Sequence, residues 1–103
     1  MAESNVLDSK FERISLAMDR AVIEKSLSSA QAEAECCGLS EVSTKNGHSH
    51  RWEFADGALV LALDWRWYDQ SKSFAIRPDM NVMVLTIANG NQVIRRIEKR
   101  YED

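Results

Sequence analysis

The dipeptide Asp56-Gly57 lies between two alternating runs, His48 to Ala55 and Ala58 to Tyr68, and it constrains the fold more than any other stretch of the chain. Asp-Gly flanked by alternating hydrophobic residues is a strong local signal for a β-hairpin closed by a two-residue type I′ turn. Such a turn would pair Ala55 with Ala58, Phe54 with Leu59, Trp52 with Leu61, His50 with Leu63 and His48 with Trp65. Successive strand side chains point to opposite faces. Trp52, Phe54, Leu59, Leu61, Leu63 and Trp65 therefore share one apolar face, and Arg51, Glu53, Val60, Ala62, Asp64 and Arg66 fall on the other. A sheet of this kind needs a cover on one side only.

The cover is written into the first third of the chain. Leu7, Phe11, Ile14, Met18, Ala21 and Val22 recur at helical spacing. With Asn5 or Asp8 as cap, they predict an amphipathic helix over about residues 8-26. Leu16, Ile23 and Leu27 form a second stripe and imply a buried arc wide enough to touch two neighbours. Ser28 with Gln31 has the form of a capping box, Ala30, Ala34 and Cys37 share a face, and Gly38-Leu39 suits a Schellman-type end. A second helix over about residues 29-37 follows, joined to the first by a tight corner or a kink.

Beyond Gly38 the period changes from helical to alternating. Leu39 to Thr44 reads as a short strand that Lys45-Asn46-Gly47 turns into the strand starting near His48. Asp69-Gln70-Ser71-Lys72 is turn chemistry, and Phe74-Ala75-Ile76 reads as a brief strand stopped by Pro78. The run MNVMVLTIA, residues 80-88, is apolar at nearly every position and predicts the most buried strand, covered on both faces or placed centrally. After Asn89-Gly90-Asn91, residues 92-102 fit two patterns. Val93, Arg95, Ile97, Lys99 and Tyr101 alternate as in a strand, while Val93, Ile94, Ile97 and Tyr101 would also line a helix. The tight turn expects a paired return arm, and Glu102-Asp103 would oppose a helix dipole at its C-terminus, so the strand is favoured. The expected architecture is a single α+β domain over residues 1-103, in the order α-α-β-β-β-β. Its N-terminal helical pair packs on one face of a four- to five-stranded antiparallel sheet.

A length of 103 residues gives room for one core, and 45% hydrophobic with 28% charged residues separates the chain from disordered sequences. The net charge of -3 gives the whole molecule no attraction for nucleic acid or anionic membrane. The acidic surplus lies entirely in residues 1-50, which hold five Lys/Arg against eight Asp/Glu; residues 51-103 hold eight of each. No apolar run approaches the roughly 18 residues of a membrane span, and the N-terminus lacks the apolar segment of a signal peptide. The expected location is cytoplasmic. Adjacent Cys36 and Cys37 seldom close a strain-free disulfide, which agrees with reduced thiols.

Three sets of residues could carry function. The acidic residues Glu12, Asp19 and Glu24 on the polar side of the first helix could steer a basic protein partner, including a nucleic-acid-binding protein. Trp67 and Tyr68 with Arg66, and the basic residues Arg95, Arg96, Lys99 and Arg100, are the materials of a single-stranded nucleic-acid platform. Trp65 and Trp67, however, share the phase of the leucine face, where burial is the simpler reading. His48 and His50 are spaced to ligate one metal ion, with Cys36, Cys37, Asp64 and Glu41 as further donors, but no completing ligand motif accompanies them. Asp64 could also pair with His50 as an acid/base couple. No nucleophile elbow, phosphate loop or metal-ligand motif is present, so neither enzymatic function nor a metal or other cofactor is expected. The leading expectation is a non-enzymatic protein-binding or inhibitor protein, acting by occlusion through the acidic helical face or a sheet edge. Homodimerisation through a sheet edge and aromatic surface is expected as well. In size and composition the chain is similar to immunity proteins, secretion chaperones and phage-encoded inhibitors of bacterial defence, anti-CRISPR proteins included; that likeness attaches to no residue.

Overall fold

The computed structural model describes residues 2-42, 49-67 and 80-102, with side chains described for 6-42, 49-66 and 81-102. Two helices, α1 (Ala2–Glu24) and α2 (Ser28–Cys36), precede five strands: β1 (Ser40–Val42), β2 (Ser49–Asp56), β3 (Leu59–Trp67), β4 (Met80–Asn89) and β5 (Gln92–Glu102). The strands form one antiparallel sheet in the order β1-β2-β3-β4-β5, so β1 and β5 are its edges. Both helices lie on one face of the sheet in an α+β fold, and among the described residues no helix covers the other face.

The α1 helix begins earlier than the Asn5 or Asp8 cap implies. Leu7 is fully buried, so the first turns are anchored in the core instead of fraying at a polar cap. Leu7, Phe11, Ile14, Met18 and Ala21 meet Trp52, Leu61, Leu63, Met83, Leu85 and Ile87 from the sheet in one apolar core. Phe54, Leu59 and Trp65 pack against its margin. The helical and strand periods thus place their apolar sides against each other, as the sequence pattern requires.

Both helices close with the same motif. Ser26 N–H donates to Ala21 O at 3.0 Å and Lys25 N–H to Val22 O at 3.3 Å; Leu39 N–H donates to Ala34 O and Gly38 N–H to Glu35 O, both at 3.0 Å. These are the paired bonds of Schellman ends, with Lys25 (φ 54) and Gly38 (φ 93) in the left-handed positions. The expected Ser28 capping box does not form. The Ser28 backbone N–H instead finds the Ser26 hydroxyl at 3.2 Å, and Gln31 N–H closes on Leu27 O. Ala30 and Ala34 are fully buried, which lets α2 lie close against α1.

The central hairpin keeps its faces but not its register. Asp56 pairs with Leu59, Phe54 with Leu61, Trp52 with Leu63 and His50 with Trp65. The loop is therefore Gly57-Ala58, with Gly57 at φ 63 in the first position, as a type II′ turn requires, instead of the expected Asp56-Gly57 type I′ loop. This displacement is two residues, an even number, so every side chain stays on its predicted face. The β4–β5 loop repeats the device with Gly90 at φ 60.

β4 is an interior strand, paired on both sides, but it lies next to the β5 edge and among the described residues helices cover only one of its faces: Met83, Leu85 and Ile87 are buried on that face and Val82 on the other. Residues 92-102 are a strand, not a helix. A bulge interrupts their pairing where Ile87 faces Arg95 and Ala88 faces Val93, leaving Ile94 as the extra residue. The expected Lys45-Asn46-Gly47 turn, the 69-72 turn and the Phe74-Ile76 strand lie outside the described residues. No helix among the described residues is long and apolar enough to cross a membrane.

Candidate functional site

The predicted acidic and basic sets meet within the fold. Asp8, Glu12, Ser15 and Asp19 share the flank of α1 that faces β5, at the spacing that stacks side chains along one side of a helix. From the helix side of β5, Arg95 bonds Asp8 at 3.2 Å and also Glu12, while Lys99 bonds Asp19 and donates to Ser15 O at 3.3 Å. The Arg95 guanidinium lies over the Phe11 ring, 4.0 Å from its centroid. The opposite flank of α1 is basic and turned to α2. Lys10 donates to Cys37 O with its ammonium 4.4 Å from the centroid of Phe54, and Arg13 pairs with Glu33 at 2.7 Å. Long cationic stems thus seal the core on both sides of the helix.

Glu12 and Asp19 therefore stand together, whereas Glu24 does not join them. Its carboxylate accepts a bond from the Ser29 hydroxyl at 2.5 Å across the α1–α2 corner. The basic residues divide in the same way. Arg95 and Lys99 point to the helices, while Arg96 and Arg100 share the open sheet face with Arg66.

That open face carries a shallow concavity of ≈ 480 Å³ floored by Val82, Val84 and Thr86 and rimmed by Arg51, Arg66, Arg96 and Arg100. Among the described residues, three of the four rim arginines have carboxylate partners, and arginine outnumbers carboxylate. Arg51 holds Glu53 at 2.6 Å and Asp64 at 2.8 Å, and Glu98 accepts from both Arg96 and Arg100. Burial opposes the charge on Arg51, but its two carboxylate partners more than offset this and hold its pKa above the usual value. No aromatic side chain described on this face offers a base-stacking surface, because Trp65 lies on the helix side; the Trp67 side chain is outside those described. Tyr68 is outside the described residues.

His50 stacks on Trp52 and Trp65, with centroid separations of 5.9 and 5.6 Å, and its Nδ1 lies 2.8 Å from Glu41 Oε2. Asp64 is on the other side of the sheet, so the predicted His50-Asp64 couple does not assemble. Among the described residues no three metal-ligating side chains come together; His48 is outside them. The indole Nε1 of Trp52 is buried with no acceptor among the described residues. Cys36 and Cys37 are free thiols. Burial pushes the Cys37 pKa up, against the opposing field of Arg13, and a thiol held neutral is a poor nucleophile.

The residues that sequence reasoning misassigned are Leu16 and Ile23. Both were expected to widen the buried arc, yet they are 66% and 82% exposed on the outer face of α1. The α1 helix does reach two neighbours, but through Lys10 and Arg13 on one flank and the acidic residues on the other. The signal was available: Leu16 follows Leu7 by nine residues, about two and a half turns, which puts it behind the helix. Beside Glu12 and Asp19, which are 62% and 58% exposed although they bond Arg95 and Lys99, these two side chains complete a mixed apolar and acidic surface.

No protein-family model matches the chain, and no curated protein or solved structure is significantly similar to it.

Proposed function

We propose that this chain is a non-enzymatic binding protein that occludes a partner protein through the outer face of α1. One observation carries the reading: Leu16 and Ile23 stand exposed one above the other on a helix whose inner face is fully packed, bordered by Glu12 and Asp19. Large apolar side chains at helical spacing, next to charge, are what a helix presents when it docks into a groove of another protein. The complementary partner has an apolar cleft bordered by Lys or Arg, as the surface of a nucleic-acid-binding protein does. Occluding such a surface needs no catalysis and no cofactor. It fits an immunity, chaperone or phage anti-defence role, of which an anti-CRISPR inhibitor is one form.

The test is affinity capture from the source cells with wild type and with a Leu16→Ser/Ile23→Ser variant, followed by mass spectrometry and purified binding measurements. Because both side chains are exposed, the variant should keep its melting temperature while losing the partner. A partner held equally by both proteins would refute the assignment of this face. Glu12→Gln and Asp19→Asn are preferable to charge reversal as companion variants, because lysine there would also repel Arg95 and Lys99.

A further inference from the structure

Among the described residues the sheet leaves one long edge. At the other end β1 has three residues, but β5 has eleven, and an edge strand of that length presents a row of backbone groups that can pair with another strand. The β5 side chains on the open face are Arg96, Glu98, Arg100 and Glu102, opposite Thr86, Val84, Val82 and Met80 of β4. Their charges alternate in sign along the strand.

We propose that β5 pairs antiparallel with β5 of a second copy of this chain, about a twofold axis at Lys99, joining two five-stranded sheets into one. Only a same-sequence strand running in the opposite direction is asked to fit this pattern. With Lys99 opposite Lys99 of the second copy, Glu98 faces Arg100, Arg100 faces Glu98, Arg96 faces Glu102 and Glu102 faces Arg96. All four open-face pairs are opposite in sign, an arrangement that favours cross-strand association. On the helix side Ile97 meets Tyr101, extending the apolar layer across the seam. The one like-charged pair, Lys99 with its copy, is offset because Asp19 holds each ammonium.

Neighbouring registers are worse. A shift that puts Glu98 opposite Glu98 also puts Arg96 opposite Arg100, so every facing charge repels. A further shift that centres on Ile97 keeps two Arg96-Glu98 pairs but sets Arg100 against the bulge residue Ile94. Charges normally guard an edge against pairing, and here the alternation guards against foreign strands and slipped registers while admitting the chain's own copy. Arg96 and Arg100 already bond Glu98 within the strand, and a guanidinium with five donors can serve a second carboxylate across the seam. The closed twofold stops the assembly at two copies.

Light scattering on the full chain tests this. Wild type should give twice the chain mass of 11.7 kDa at micromolar and higher concentrations. Glu98→Arg/Glu102→Arg makes the open-face row of β5 wholly basic, and Arg96→Glu/Arg100→Glu makes it wholly acidic. Each variant alone should associate at least about tenfold more weakly, since like charges then oppose each other at every pair. Mixed in equal amounts, the two should form a heterodimer. A wild-type mass of 11.7 kDa throughout overturns the proposal whether or not either variant folds. Two folded variants that remain dimeric alone, or that fail to combine when mixed, overturn it as well. The α1 reading stands apart from this result, because Leu16→Ser/Ile23→Ser should leave the dimer mass unchanged.

Discussion

Replacing Lys25 by glycine should stabilise the protein, although it deletes a side chain and adds no contact. Lys25 is the described non-glycine residue with a positive φ, and it occupies the position that ends α1, where glycine is the common choice. An L-residue in the left-handed region carries a penalty of roughly 1–2 kcal/mol. Glycine removes that penalty but gives back about 0.5–1 kcal/mol through the greater freedom of its unfolded chain. The Lys25 side chain is exposed and makes no bond among the described residues, so the net gain is about 0.5–1 kcal/mol, or a rise of roughly 2–8 °C in melting temperature for a domain of this size. Gly38 supplies the mirror experiment at the end of α2. A Cβ there would lie 3.6 Å from Phe54 Cδ2, an ordinary contact, so Gly38→Ala should lose stability through its backbone, not through a clash. Urea unfolding at constant m-value measures both. If Lys25→Gly is neutral or destabilising while Gly38→Ala is tolerated, the left-handed helix ends do not carry the strain assigned to them.

Leu61→Ala should destabilise the fold by about 2–5 kcal/mol, since Leu61 is fully buried between Phe54 and Ile87 in the sheet; a loss under roughly 0.5 kcal/mol in urea unfolding would remove it from the core. Arg95→Ala should cost about 1–2 kcal/mol through lost bonds to Asp8 and Glu12 and lost cover over Phe11, whereas Arg96→Ala, on the open face, should cost less than about 1 kcal/mol; equal effects would contradict the division of β5 between two faces. Cys37 has a folded pKa raised above its usual value of 9.0, so the unfolded chain ionises first and stability falls as pH climbs through about 9. Cys37→Ala should flatten that alkaline decline, and an unchanged slope in unfolding free energy between neutral and alkaline pH would show that the thiol does not drive it.

The elements that were legible in the sequence are those where one periodicity acted alone. The Leu7, Phe11, Ile14, Met18 row and the alternating arms around Gly57 each specify one buried face, and burial enforces them. The hairpin register was less legible, because Asp-Gly serves either as the two loop residues or as a strand end followed by the first loop residue, and both choices preserve the faces. For residues 92-102 the two periods competed, and pairing with β4 decided between them. The site was harder. A charge count shows an acidic first half and a basic cluster near the C-terminus, but it does not show that Asp8, Glu12 and Asp19 lie beside Arg95 and Lys99. Pairing over such sequence separations depends on which flank of α1 meets β5, and no local pattern records that.

This pairing changes what an acidic helical face can do for a partner. Glu12 and Asp19 as free carboxylates would give a long-range pull on basic surfaces, strongly weakened by salt. With Arg95 and Lys99 within bonding distance, the distant field largely cancels and only short-range recognition remains. A partner's Lys or Arg must then share or displace the intramolecular partner, so its net contribution is small. Binding through this face should accordingly owe more to burial of Leu16 and Ile23 than to steering. Salt should therefore alter the association rate only modestly, while truncation of the two apolar side chains should appear chiefly as faster dissociation.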